Sequence, residues 1–116
     1  MSDRTILTPY FLDDPRPAIA GMAAPDWRVV SAELPPGERI DRMGRLYDAL
    51  AAEVAAALAA GERPVSIAGD CCASIGVLAG LQRAGQQPTL LWLDAHGDFT
   101  PCDRLIHPIS PISPVK

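Results

Sequence analysis

Asp94, His96 and Asp98 stand at alternating positions just after the apolar run Leu91-Trp92-Leu93. On extended backbone, side chains at i, i+2 and i+4 point to the same side, so these three converge on one point. Ala95 and Gly97 between them leave the opposite side uncrowded. Two carboxylates and an imidazole form an oxygen and nitrogen donor set that divalent manganese, zinc or iron accepts. The plainer alternative is an ordinary polar exit from a strand. A second group, Asp70-Cys71-Cys72, follows Gly69. Asp70 has two readings, as part of a chemical motif or simply as the N-cap of the next helix, where Asp is a preferred residue. Cys72 reads as a small buried residue, and adjacent cysteines lack the Cys-x-x-Cys spacing of zinc and redox modules.

Both groups need elements that carry them to one place. Pro64 to Ala68 reads as a short strand and Ala73 to Arg83 as a helix bearing Ile75, Leu78, Ala79 and Leu81, capped by Gly85. Thr89 to Leu93 reads as a further strand, whose unbroken apolar character suits burial on both faces. Strand, helix, strand is a βαβ unit with parallel strands and a right-handed connection. Parallel strands end on the same edge. Asp70-Cys71 and Asp94 to Asp98 are therefore expected together at the carboxyl edge of the sheet, where open α/β sheets place their ligands.

Upstream, Thr5 to Thr8 is a strand, residues 9 to 26 an irregular loop punctuated by prolines, and Trp27 to Ala32 a second strand. The spacing of Ile40, Met43, Tyr47, Leu50, Val54 and Ala57 predicts a packing helix over residues 38–60, with Gly61 as its cap and Pro64 as its stop. Thr100 to Lys116 holds four prolines, including Pro-Ile-Ser-Pro-Ile-Ser-Pro, and reads as an extended tail. Cys102 and His107 within it are assigned no role. The expected division is an α/β domain over residues 1–99 and a proline-rich tail over 100–116.

At 116 residues with 48 % hydrophobic and 21 % charged side chains, the chain can build a core. A net charge of −4 speaks against nucleic acid as a partner, and no apolar run approaches the roughly 18 residues of a membrane span. An odd number of cysteines and no secretion signal point to reduced thiols in the cytoplasm.

Ser66 to Gly76, with its Gly69-Asp70-Cys71-Cys72 core, resembles the first metal motif of the ureohydrolases, the arginases, agmatinases and their relatives. Their form is Gly-Gly-Asp-His-Ser followed by a helix. Leu93 to Phe99 resembles the second motif, Asp-Ala-His-x-Asp, on the next strand, and the likeness extends over about residues 27–99. The resemblance implies a three-layer αβα fold with a mainly parallel sheet. It implies metal-dependent hydrolysis of a guanidino or amidino carbon–nitrogen bond in a small substrate, with two divalent ions, typically manganese. By position Asp94 would bridge both ions, and His96 and Asp98 would each bind one. Cys71 stands at the family's first metal-binding histidine, where a thiolate would favour zinc or iron. Thr100 replaces an asparagine that contacts substrate. The family's third motif, an Asp-x-Asp on a later strand, does not occur in this sequence. The expectation is thus the N-terminal portion of an arginase- or agmatinase-like hydrolase, binding one metal weakly or none and turning over little by itself. The alternative is a non-catalytic remnant or docking fragment of the same fold, with an exposed sheet edge that promotes association. Self-association into a homo-oligomer stays open.

Overall fold

In the computed structural model, which describes residues 1–95, the hexamer Asp3–Thr8, buried at its carboxyl half, forms the central strand β1. It continues into a short antiparallel pair, β2 (Tyr10–Phe11) and β3 (Asp14–Pro15), then a single helical turn α1 (Pro17–Ala20) opened by proline. Next come β4 (Arg28–Val29), α2 (Arg39–Ala59), β5 (Arg63–Ala68), a 3₁₀ turn (Cys71–Ala73) and α3 (Ser74–Arg83). The sheet order is β4-β1-β5 with every pairing parallel. β1 and β5 run in register from Asp3 opposite Arg63 to Thr8 opposite Ala68. An α/β fold with a parallel sheet is what the sequence led one to expect.

The register is pinned at the amino end by charge. Arg63 donates two hydrogen bonds to Asp3, at 2.8 and 3.0 Å, and Arg4 pairs with Glu62. The core lies between the sheet and α2. Ile6 of β1 and Val30 just after β4 meet Leu46, Tyr47, Leu50 and Val54, which recur at helical spacing on one face of α2. Of the face read from sequence, Ile40 falls outside, 72 % exposed in the first turn of the helix. Both long helices end as expected. Gly61 and Gly85 take left-handed conformations, φ +74° and +77°. The amides of Glu62 and Gln86 reach back 2.9 Å to the carbonyls of Ala57 and Leu81, the Schellman closure.

α3 packs on α2 through glycine. A Cβ on Gly76 would lie 2.9 Å from Leu50 Cδ2, and one on Gly80 would lie 2.6 Å from Val54 Cβ. Ile75 and Leu78, two of the apolar residues read on this helix, are exposed. A backbone approach this close leaves room at the contact for hydrogen alone, so the larger side chains turn outward.

Two further expectations are corrected. Residues 9 to 26 are not wholly irregular, because they hold the β2–β3 pair and α1. Thr89 to Leu93 forms no ladder, and Leu90, Leu91 and Leu93 are exposed. Apolar composition favours a strand only where a paired neighbour and a covering layer exist; among the described elements β5 pairs with β1 alone and no ladder reaches this segment. The second strand is also short, with only Arg28–Val29 paired in the ladder, although the Val30 amide still donates to the Leu7 carbonyl at 2.8 Å.

Candidate functional site

The carboxyl edge of the sheet is built around Gly69 and Asp70. A Cβ on Gly69 would stand 2.2 Å from the Tyr10 carbonyl oxygen, so the chain can cross the β2 strand here only without a side chain. Asp70 then serves both neighbours. Its Oδ1 accepts from the Cys72 amide at 2.8 Å, which is the N-cap of the 3₁₀ turn. Its Oδ2 accepts from the Leu12 amide at 2.7 Å. Leu12 has φ +55°, a left-handed conformation that branched side chains avoid. The capping reading of Asp70 is therefore the one realised, with the added task of holding a strained loop residue. Nothing in the local sequence signals Leu12 as the partner, since the two lie 58 positions apart.

Cys71 is exposed, and the Ser74 hydroxyl donates to its carbonyl at 2.7 Å, which fixes the turn. Cys72 is half-buried against the core beside Tyr47. Burial raises the Cys72 thiol above its ordinary pKa, and the negative charges available to Asp70 and Cys71 raise it further. Burial likewise pushes the Tyr47 phenol up, with Asp70 and Cys72 adding to the shift. The Tyr47 hydroxyl and the Thr8 hydroxyl are both buried with no hydrogen-bond partner of ordinary geometry among the described residues. In the sequence Tyr47 reads only as a member of the apolar stripe of α2, so its polar end went unnoticed there.

A cavity of about 470 Å³ opens beside this turn, lined by Ala68, Cys71, Val77, Leu81, Leu90 and Trp92 among others. Trp92 sits half-buried on its far wall, and Asp94 lies exposed two residues on. Of the residues expected to bind metal, Cys71 and Asp94 fall among the described residues, whereas His96 and Asp98 lie outside them. Among the described residues, no three His, Cys, Asp or Glu side chains are gathered so as to hold a metal ion. They do not by themselves fit a two-metal centre. No helix among them is long and apolar enough to cross a membrane.

Among known families, the one described as the arginase family matches residues 16–110. No curated protein and no solved structure matches the chain.

Proposed function

The chain belongs to the arginase family, and from that premise we propose that it carries the amino-terminal metal motifs of a ureohydrolase. The class is a hydrolase of guanidino or amidino carbon–nitrogen bonds in small, linear amidines, of the arginase or agmatinase type. The single observation that carries this reading is the family match over residues 16–110. The parallel sheet, with Asp70 and Cys71 at its carboxyl edge beside a cavity, supports it. We assign the metal to Asp94, His96 and Asp98, with Cys71 at the position the family gives to histidine. Manganese is the ion the family implies, with zinc or iron favoured where the thiol binds. When bound, such an ion supplies Lewis acidity and an activated water.

The chain's own residues prepare this edge. Asp70 holds the Cys71 turn and the Leu12 loop in place, and Val77, Leu81, Leu90 and Trp92 give the cavity an apolar wall. Purified protein reconstituted separately with manganese, zinc and iron(II), then dialysed and analysed for metal, tests the assignment. Retained metal in the native chain and its loss in His96→Ala are expected; no retained metal in the native chain overturns it. Urea release from arginine, agmatine and guanidino acids then identifies the substrate.

A second reading, a non-catalytic chain that docks onto a protein of the same fold, is favoured by one observation, the exposed Leu90, Leu91 and Leu93 beside an edge strand. Concentration-dependent association in sedimentation, with no metal retained, would select it.

A further inference from the structure

Asp13 is the one buried charged side chain among the described residues, 7 % exposed, and it lies outside the residues assigned to metal. It sits at the tip of the β2–β3 hairpin, where Tyr10 pairs with Pro15 and Phe11 with Asp14, so that Leu12 and Asp13 form a two-residue turn. Arg42 Nε donates to its Oδ2 at 2.9 Å, and Arg39 Nε stands 2.9 Å from its Oδ1. Through Nη1, Arg42 also donates to the carbonyls of Leu34 at 3.0 Å and Pro35 at 2.7 Å. One guanidinium thus joins the hairpin tip to the loop that leads into α2.

A buried ion pair adds little net stability, because desolvating both charges offsets their attraction, and its best-attested use is to specify one arrangement. The arrangement at stake here is that of Leu12. Two-residue hairpin turns need a positive φ at their first central residue, which glycine or asparagine ordinarily supplies; Leu12 takes it at +55°. A leucine keeps such a conformation only where its surroundings over-determine it. Leu12 has two holds. Its own amide donates to Asp70 Oδ2 at 2.7 Å, and the carboxylate of the next residue is gripped by Arg39 and Arg42. With the second hold gone, the turn is free to relax toward negative φ, which takes the Leu12 amide away from Asp70. The Asp70 carboxylate then keeps the Cys72 amide, 2.8 Å from Oδ1, without the contact that fixes it from the other side. Cys71, next in the chain, lines the cavity.

We propose that Asp13, held by Arg39 and Arg42, is a positioning residue for the Asp70–Cys71 turn and acts on it through Leu12. Its effect on a bound metal rests on the reading of Cys71 as a ligand; the link from Asp13 to the turn stands apart from that reading.

The test compares backbone amide proton shifts in the isotope-labelled full chain and its variants. The Leu12 and Cys72 amides donate to a carboxylate at 2.7 and 2.8 Å, and such charge-assisted bonds are strong enough to displace the proton signals downfield. In Asp13→Ala both signals should move upfield, while those of Leu50 and Val54 in the middle of α2 stay in place. Native-state shifts do not follow a fall in stability, so a residue that merely stabilised the fold would leave them unmoved. Arg39→Gln changes a side chain that is 58 % exposed. It should move the same two signals by less, and it decides the matter if Asp13→Ala does not fold. In urea unfolding, the costs of Asp13→Ala and Asp70→Ala should fall short of additive by about 5-fold or more in the unfolding constant, as for residues of one network. In chain loaded with zinc, Asp13→Ala should weaken affinity about 10-fold, the loss usual when a residue supporting a ligand is removed. A Cys72 signal that stays in place, whether or not Leu12 moves, or costs that simply add, would overturn the proposal. Unchanged zinc affinity in the variant overturns the effect on Cys71 as a ligand. A native chain that binds no zinc counts instead against zinc as the ion at Cys71, and the amide shifts still decide whether Asp13 positions the turn.

Discussion

Replacing Gly80 with alanine adds one methyl group, and its sign depends wholly on where that methyl goes. In an open helix the change stabilises by about 1 kcal/mol, because glycine surrenders more backbone freedom on folding than alanine. At Gly80 the new Cβ would stand 2.6 Å from Val54 Cβ, 2.7 Å from the Ala51 carbonyl oxygen and 2.8 Å from Val54 Cγ1. Two of these atoms are fixed to the backbone of α2, so a side-chain rotation cannot clear them, and the helices must separate. Overpacking of this kind costs about 1–3 kcal/mol, and contacts this short belong at the upper end. Subtracting the propensity gain leaves a net loss of about 1–2 kcal/mol. Gly44 provides the control, since it lies on α2 with nothing within 4 Å of an added Cβ. Gly44→Ala should stabilise by up to about 1 kcal/mol. Urea unfolding followed by far-ultraviolet circular dichroism compares them, with unchanged slopes required for the comparison. If Gly80→Ala stabilises as much as Gly44→Ala, the glycine-mediated contact between α2 and α3 is not there.

Other expectations concern the site edge and the surface. Asp70→Ala removes the cap on the Cys71 turn and the partner of the Leu12 amide, so it should cost more than the roughly 1 kcal/mol of a simple cap. Proteolysis within residues 9–16 should accelerate with it, and an unchanged cleavage rate would refute the tether. Asp13 is held below the usual carboxylate range by its hydrogen bond to Arg42 and by nearby Arg39. A lowered folded-state pKa stabilises above the unfolded value, about 3.9, and that contribution fades as pH falls through and below it. The stability gap between native chain and Asp13→Asn should therefore narrow from pH 6 toward pH 3 in urea titrations, and a constant gap would contradict the assignment. Leu91 is 78 % exposed, so Leu91→Gln should change stability by no more than about 0.5 kcal/mol while reducing any self-association seen by sedimentation. A loss of 2 kcal/mol would show that the segment is packed.

What the sequence disclosed was governed by local rules. The α2 boundaries, the left-handed Gly61 and Gly85, and the Asp70 cap all follow from one or two turns of chain, where propensity and hydrogen bonding act directly. What it concealed depended on distant partners. Ile75 and Leu78 have the spacing of a core face, yet the contact is made by Gly76 and Gly80, because the distance between two helices is not written in either one alone. Thr89 to Leu93 has the composition of a buried strand, but burial on both faces needs a paired neighbour, and among the described residues it joins no ladder and leaves Leu90, Leu91 and Leu93 exposed. The β2–β3 pair escaped notice because Leu12 carries a left-handed backbone that asparagine or glycine would have advertised. Of the site, Cys71 directly follows the carboxyl end of β5, with Tyr47 a chemical neighbour that its apolar stripe disguised.

The tethers joining β1 and its extension to β5 and the following turn bear on how the chain reaches this fold. Arg4 with Glu62 and Leu12 with Asp70 each bridge 58 positions, one at either end of the same pairing. The stretch from α2 through β5 to α3 can assemble from nearby segments, whereas β1 must be recruited across a long loop whose closure carries an entropy penalty rising as the logarithm of its length. Folding speed then rests on that recruitment. Truncating Ile6 to valine should slow refolding more than it hastens unfolding, and stopped-flow kinetics showing the reverse would place the capture of β1 after the barrier.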